Sequence, residues 1–246
     1  MALSLHEEVT RKYYHTTANR SHVGLREHYD HAADGLMLRI RPWLPRDRGA
    51  SCLDLGCGCG ELMYLLEREG FGHTSGVDLC VEELEQARVH LRGEVTHADV
   101  LEHLRGLPDG SLDFITAFNI LEHLPKDVLG DVLKEGRRVL RPGGTLVAMV
   151  PNAVSPFGGL TRHWDITHEW AFTPNNFRQL AAVSGFDPAV EFRECGPVVH
   201  GLKSAVRYGL WQVLRAGIRA WFMIELADPK DGVYTMDMLV RMRRSA

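Results

Sequence analysis

Ser51-Cys52-Leu53-Asp54-Leu55-Gly56-Cys57-Gly58-Cys59-Gly60 decides how the rest of the chain is read. An apolar run of buried-strand length meets glycines at 56, 58 and 60, and a helical pattern begins at Glu61. Strand, glycine turn and helix in that order make a nucleotide-binding turn. Glycine lets the chain bend tightly at the strand end, at positive φ where needed, and keeps side chains away from a ligand. Many glycine-rich turns share those needs, so the neighbouring acids must decide the ligand. Asp54 places a carboxylate where it accepts hydrogen bonds from a cationic or hydroxyl-bearing ligand and repels a pyrophosphate. Glu61 occupies the position of the third glycine of the dinucleotide fingerprint, where the phosphates would sit. Asp78, closing the next apolar run His73-Thr74-Ser75-Gly76-Val77, is suited to the two hydroxyls of a ribose.

On these residues the chain resembles class I S-adenosylmethionine-dependent methyltransferases. Leu53 to Gly60 is similar to their first motif and Gly76-Val77-Asp78-Leu79 to their second. Ala98-Asp99-Val100 resembles the segment whose acid meets the adenine amino group. The stretch from Leu112 through Asn119-Ile120-Leu121-Glu122-His123-Leu124 resembles the fourth strand and its loop, and Val139-Leu140-Arg141-Pro142-Gly143-Gly144-Thr145-Leu146 the turn into the fifth. The resemblance covers about residues 51–150 and keeps the family's motif order. It implies S-adenosyl-L-methionine as cofactor and S-adenosyl-L-homocysteine as product. The implied cofactor residues are Asp54, Gly56, Cys57, Gly58, Gly60, Asp78, Leu79, Asp99, Val100 and Asn119.

The 246 residues suit one α/β domain with appendages, and a net charge of -4 offers no general basic field for nucleic acid. The five cysteines are an odd number clustered near the glycine turn, which fits a reducing cytoplasm better than a disulfide framework. Cys57 and Cys59 stand too close for a zinc knuckle and read as small loop residues. No secretory signal and no membrane-spanning apolar stretch is visible.

Taken in order, residues 1–45 read as a helical preface, 46–195 as the cofactor-binding core, 196–232 as a helical insertion and 233–246 as the last strand and tail. Strands are expected at 51–55, 73–78, 94–97, 112–118, 145–150, 189–194 and 233–241, alternating with helices through most of the core. Together with the resemblance this is an α/β fold: a Rossmann-like, seven-stranded, mostly parallel sheet with helices on both faces. Right-handed crossovers place the loops after strands one, two and four on one edge, where ligands bind. A Thr173-Pro174 cap starts a helix at 175–184, and residues 204–226 form an amphipathic helix whose plainest use is packing on its own domain. It also suits an acceptor-pocket cap, a membrane surface or a homodimer face.

A sulfonium methyl is already activated, so the protein must align an acceptor atom and remove its proton. His123, after the fourth strand, and His168, in a long loop at 151–172, are the candidate bases. Each has a plainer reading, His123 as a loop-shaping residue and His168 as one of several polar loop residues satisfying one another. His163, Asp165, His168 and Glu169 hold enough donors for a divalent ion, but their spacing matches no metal signature and no metal is expected. The resemblance implies acceptor contacts at Tyr14, Arg20, Asp165 and Glu169, with Tyr13 and Tyr29 also available; for each preface residue a solvated helix whose aromatic side chains pack on the domain is the more expected role. A looser resemblance, on 152–173 and the Arg/Trp-rich stretch to 225, is to bacterial methyltransferases of glycan and specialised-metabolite assembly. It implies O-methylation of a small-molecule hydroxyl on a sugar, polyol or specialised metabolite. N-, C- or carboxyl-methylation, a non-catalytic cofactor-binding partner and a nicotinamide-dependent oxidoreductase are the other readings; Glu61 opposes the last.

Overall fold

The computed structural model describes residues 9, 29, 36–227 and 230–245. Seven strands form one sheet: β1 Ser51–Leu55, β2 His73–Asp78, β3 Glu94–His97, β4 Leu112–Phe118, β5 Leu140–Pro151, β6 Glu191–Glu194 and β7 Asp237–Arg243. Their spatial order is β3-β2-β1-β4-β5-β7-β6. The first five are parallel, and β7 runs antiparallel between β5 and β6. The chain builds outward from β1 to β3 and then crosses back to β4. A crevice therefore opens between the carboxyl ends of β1 and β4, the place such sheets reserve for ligands.

Strand periodicity sets the two layers. Leu53, Leu55, Ile115, Ala117, Leu146 and Ala148 pack on one face against α3 (Val100–Gly106), α4 (Lys126–Val139) and α6 (Pro174–Ser184). Cys52, Phe114, Val147 and Leu239 point the other way, against α1 (Glu61–Arg68) and the segment 36–43. Between α1 and α2 (Val81–His90), Met63, Leu84 and Ala87 close a smaller cluster with Val95 of β3. A short α5 (Gly158–Arg162) lies in the loop after β5, and α7 (Leu202–Leu226) fills the insertion.

Three expected boundaries move, each for a local reason. β5 starts at Leu140, because Leu140 pairs with Leu112 of β4, and Gly143 N–H donates to Arg244 O and Arg244 N–H to Gly144 O, at 2.9 Å each, holding the Arg-Pro-Gly-Gly stretch to the sheet. β6 starts at Glu191, after Ala189 N–H and Val190 N–H are spent on Asp187 Oδ1 and Pro188 O. β7 starts at Asp237 because Asn152 Nδ2 takes the carbonyls of Val233 and Thr235, at 3.0 and 2.9 Å, while Glu194 Oε1 accepts from Tyr234 N–H. The Thr173 cap is as expected and forms a full capping box with Asn176.

The packing expected of α7 holds along one edge only. Ile218 is buried, Phe222 packs 5.5 Å from the Tyr234 ring, and Arg215 pairs with Glu194 at 2.8 Å. Leu202, Leu210, Val213 and Ile224 are 68–86% exposed. Among the described residues no helix is long and apolar enough to cross a membrane, and none of the five cysteines is in a disulfide.

Candidate active site

The glycine turn is lashed to β2 by its own backbone. Gly56 and Cys57 N–H both donate to Val77 O, at 2.9 and 3.0 Å, and Gly58 N–H donates to Asp78 Oδ2 at 2.8 Å. Gly56 and Gly60 have φ of 65° and 85°, a region costly to any side chain. A Cβ at Gly56 would stand 3.0 Å from Ile120 of the β4 loop, so this glycine also lets the two sides of the crevice meet. Cys57 points inward beside Gly76, and burial first of all raises its thiol pKa, which makes it an inert packing group.

Around this turn stand acids with different tasks. Asp54 is 4% exposed and accepts the Thr116 hydroxyl at 2.7 Å. Burial raises its pKa to about 7; the Thr116 bond opposes that, and Glu61 and Asp78 add to it. Asp78 spends one lone pair of Oδ1 on Cys80 N–H and one of Oδ2 on Gly58 N–H, both at 2.8 Å, which leaves each oxygen a second for a ribose hydroxyl. Leu79 is half exposed at the same strand end. Asp99 caps α3, its Oδ1 accepting Leu101 and Glu102 N–H at 2.9 and 3.1 Å; Val100 beside it is buried. Asn119, at the end of β4, is a non-glycine residue at φ 53°, its N–H held by Met149 O at 3.0 Å. Asp54, Asp78, Asp99 and Asn119 thus border the carboxyl edge of β1 to β4, and three acids near one glycine turn suit a cationic ligand.

The candidate acceptor residues lie where the turn after β4 meets the 151–172 loop. Glu169 N–H donates to Glu122 O at 2.7 Å and Trp170 Nε1–H to Leu124 O at 2.9 Å, so the two loops are clamped. The His123 and His168 rings meet edge to face, 4.8 Å between centroids. Asp165 Oδ1 accepts both Thr167 N–H, at 2.9 Å, and the Thr167 hydroxyl, at 2.7 Å. With that hydroxyl proton committed, Thr167 Oγ1 accepts from His123 Nδ1–H at 2.7 Å. His168 Nδ1–H donates to Thr161 O at 2.9 Å. Each imidazole therefore carries a proton on Nδ1, so that in the neutral ring the lone pair stands on Nε2. Burial works to raise the Asp165 pKa, but the Thr167 hydrogen bonds and the two imidazoles outweigh it and leave the group below its ordinary value. Glu122 is 1% exposed, and burial pushes its pKa to about 8.

The structure thus brings His123, His168 and Asp165 into one constellation. Glu169 contributes its backbone, and its side chain is exposed, as is that of His163. Tyr13, Tyr14 and Arg20 lie outside the described residues. Tyr29 is fully buried, its ring 5.3 Å from that of Tyr64 and 4.7 Å from that of His90, and it donates to Cys59 O at 2.8 Å, which braces the glycine turn. Asp113 sits at the opposite sheet edge, tied to Ser51 N–H and Arg141. A cleft of about 640 Å³ on that edge, lined by Pro42, Asp113, Gly144 and Arg243, includes none of the site residues. Sequence reasoning missed Thr116, Thr167 and Glu122. Thr167 had a signal, an acid two residues before a hydroxyl in a polar loop, which is the spacing of an Asx turn.

The fold and the acid-rimmed glycine turn define an S-adenosylmethionine-dependent methyltransferase domain. The chain belongs to that family: the methyltransferase-domain family matches residues 25–190. Among relatives, a ubiquinone biosynthesis O-methyltransferase of Xanthomonas campestris pv. campestris is 33% identical over 102 residues, 40% of this chain and 41% of that protein. An uncharacterised 37.1 kDa protein in transposon TN4556 of Streptomyces fradiae is 38% identical over 110 residues, 42% of this chain and 31% of that protein. The chain thus spans about two fifths or less of these relatives. In structure it is similar to an S-adenosylmethionine-dependent methyltransferase of Archaeoglobus fulgidus, with TM-score 0.65, 21% identity and coverage of 88% and 96% of the two chains. It is also similar to an N-methyltransferase of Haemonchus contortus in complex with S-adenosylhomocysteine, with TM-score 0.63, 15% identity and coverage of 100% and 61%.

Proposed function

We propose that this chain transfers the methyl group of S-adenosyl-L-methionine to a hydroxyl of a small-molecule acceptor, with His123 or His168 as the base. The observation that carries this reading is the pair of imidazoles clamped at the acceptor end with Nδ1 engaged and the lone pair on Nε2. The acceptor O–H bond breaks toward that lone pair. The oxygen then attacks the sulfonium methyl in line, and the S–CH₃ electron pair returns to sulfur. Asp165, acting through Thr167, orients His123 and stabilises the imidazolium. An O-methyltransferase name among the relatives supports oxygen as the atom methylated. The preferred acceptor is a sugar, polyol or specialised metabolite. Phe157, Trp164 and Ile166 are 55–78% exposed on the same loop and favour an acceptor whose hydroxyl is carried on an apolar body.

The test begins with calorimetric titration of S-adenosylhomocysteine, and of NAD, into the wild-type protein and Asp78→Ala. Selective binding that Asp78→Ala loses is expected; no binding, or preference for NAD, would sink the reading. Wild type, His123→Ala and His168→Ala are then assayed on a panel of phenols and polyols. Loss of turnover in at least one His variant that still binds S-adenosylhomocysteine is expected; full turnover in both variants overturns the assignment of a histidine base.

A further inference from the structure

Glu122, His123 and His168 offer more than a base. Their donor atoms lie within 4.8 Å of one another, two imidazole nitrogens and one carboxylate oxygen drawn from two loops. Each imidazole is fixed from behind, His123 by the Thr167–Asp165 relay and His168 by Thr161 O. This is how proteins aim histidines at a metal: the second ring nitrogen is held by a carbonyl or carboxylate, which sets the tautomer and the ring plane. An independent observation points the same way. Glu122 Oε2 is buried without a hydrogen-bond partner, in a residue 1% exposed. A carboxyl oxygen kept from water and from any donor is costly in its charged form, and a bound cation is one partner that compensates it.

We propose that Glu122, His123 and His168 are the protein ligands of a divalent first-row metal ion at the acceptor end of the site. Two imidazoles with one carboxylate, and no thiolate, select zinc or a similar ion over magnesium or calcium, which take oxygen donors. Metal–ligand bonds of about 2.1 Å require the donors to draw in to roughly 3.4 Å as the ion binds. The protein supplies three ligands, so positions remain for the acceptor. A bound hydroxyl there loses its proton to solvent as the oxygen–metal bond forms. That oxygen then attacks the methyl, and the S–CH₃ pair goes to sulfur. In this state the histidines are ligands and the ion does the work assigned above to an imidazole. Binding of the ion does not depend on the proposed function; its use on a hydroxyl does.

The experiment uses untagged, chelator-stripped chain of 246 residues, titrated calorimetrically with Zn²⁺ and followed by visible absorption with Co²⁺. Variants are Glu122→Gln, His168→Ala and Thr167→Val, each checked for folding by S-adenosylhomocysteine binding. One ion per chain is expected, with a Co²⁺ spectrum of low coordination number that millimolar Mg²⁺ does not displace. Affinity should fall about 100-fold or more in Glu122→Gln and His168→Ala and roughly 10- to 100-fold in Thr167→Val. No uptake by the wild type, or unchanged affinity in Glu122→Gln and His168→Ala, overturns the proposal. The two readings fail separately. A stripped protein that binds S-adenosylhomocysteine but takes up no ion refutes the metal site alone, and one that takes up the ion but not S-adenosylhomocysteine refutes the methyl-transfer reading alone.

Discussion

Asp54 is sealed within β1, with the Thr116 hydroxyl on one oxygen. Its folded pKa, about 7, stands above the ordinary value of 3.8. Well below pH 3.8 the carboxyl is protonated in both folded and unfolded chains and costs nothing. The cost of the buried charge grows as pH rises toward 7 and is constant above. Asp54→Asn keeps an acceptor for Thr116 and removes the charge. It should stabilise the protein at pH 8 by up to about 4 kcal/mol and hardly at all at pH 4. Urea unfolding of both proteins at the two pH values checks this, and equal stability at pH 8 would refute the assignment. At Gly56, alanine meets a positive φ and Ile120 at 3.0 Å. Gly56→Ala should cost roughly 2–3 kcal/mol and weaken S-adenosylhomocysteine binding, because the crevice narrows where β1 faces β4. These residues were legible because glycines and acids cluster within ten positions of each other. Thr116 was not, since its partner lies 62 residues away and a threonine in a strand carries no mark of its own.

Among the elements, the parallel strands were legible from their apolar runs and the helix Pro174–Ser184 from its cap. The end of the sheet was not, because a side chain decides it. Asn152, fully buried, donates from Nδ2 to Val233 O and Thr235 O and accepts Val154 N–H at 3.0 Å. That one amide stops the β5–β7 ladder early and ties the start of the 151–172 loop to the sheet. Asn152→Leu strands two buried carbonyls and one N–H, and should destabilise by roughly 2–4 kcal/mol. Asn152→Asp should be worse, since a carboxylate has no donor for either carbonyl and adds a buried charge. Thermal melts rank the three proteins, and an Asn152→Asp protein as stable as wild type would rule this role out. The same limit hid the Glu122, His123 and His168 cluster: the first two lie in one motif and His168 in a separate loop. What joins them is the Glu169-to-Glu122 backbone bond, which no local pattern announces.

At the scale of the whole molecule, α7 is the element the fold uses least. Its amphipathic spacing was read from the sequence, but periodicity states that a helix has an apolar stripe and not that the stripe is covered. Two isoleucines on it separate the cases. Ile218 is 9% exposed and lies on the edge that also carries Phe222 and Arg215, whereas Ile224 is 86% exposed. Truncation at Ile218 leaves a cavity against the rest of the domain and should cost about 2–4 kcal/mol. Truncation at Ile224 removes surface that touches water in both folded and unfolded chains, so the change should stay within about 0.5 kcal/mol. Urea unfolding at low protein concentration measures both. A comparable loss from the two substitutions would mean that the outward stripe is buried in solution, and that the stability of the isolated chain includes a contact its own fold does not make.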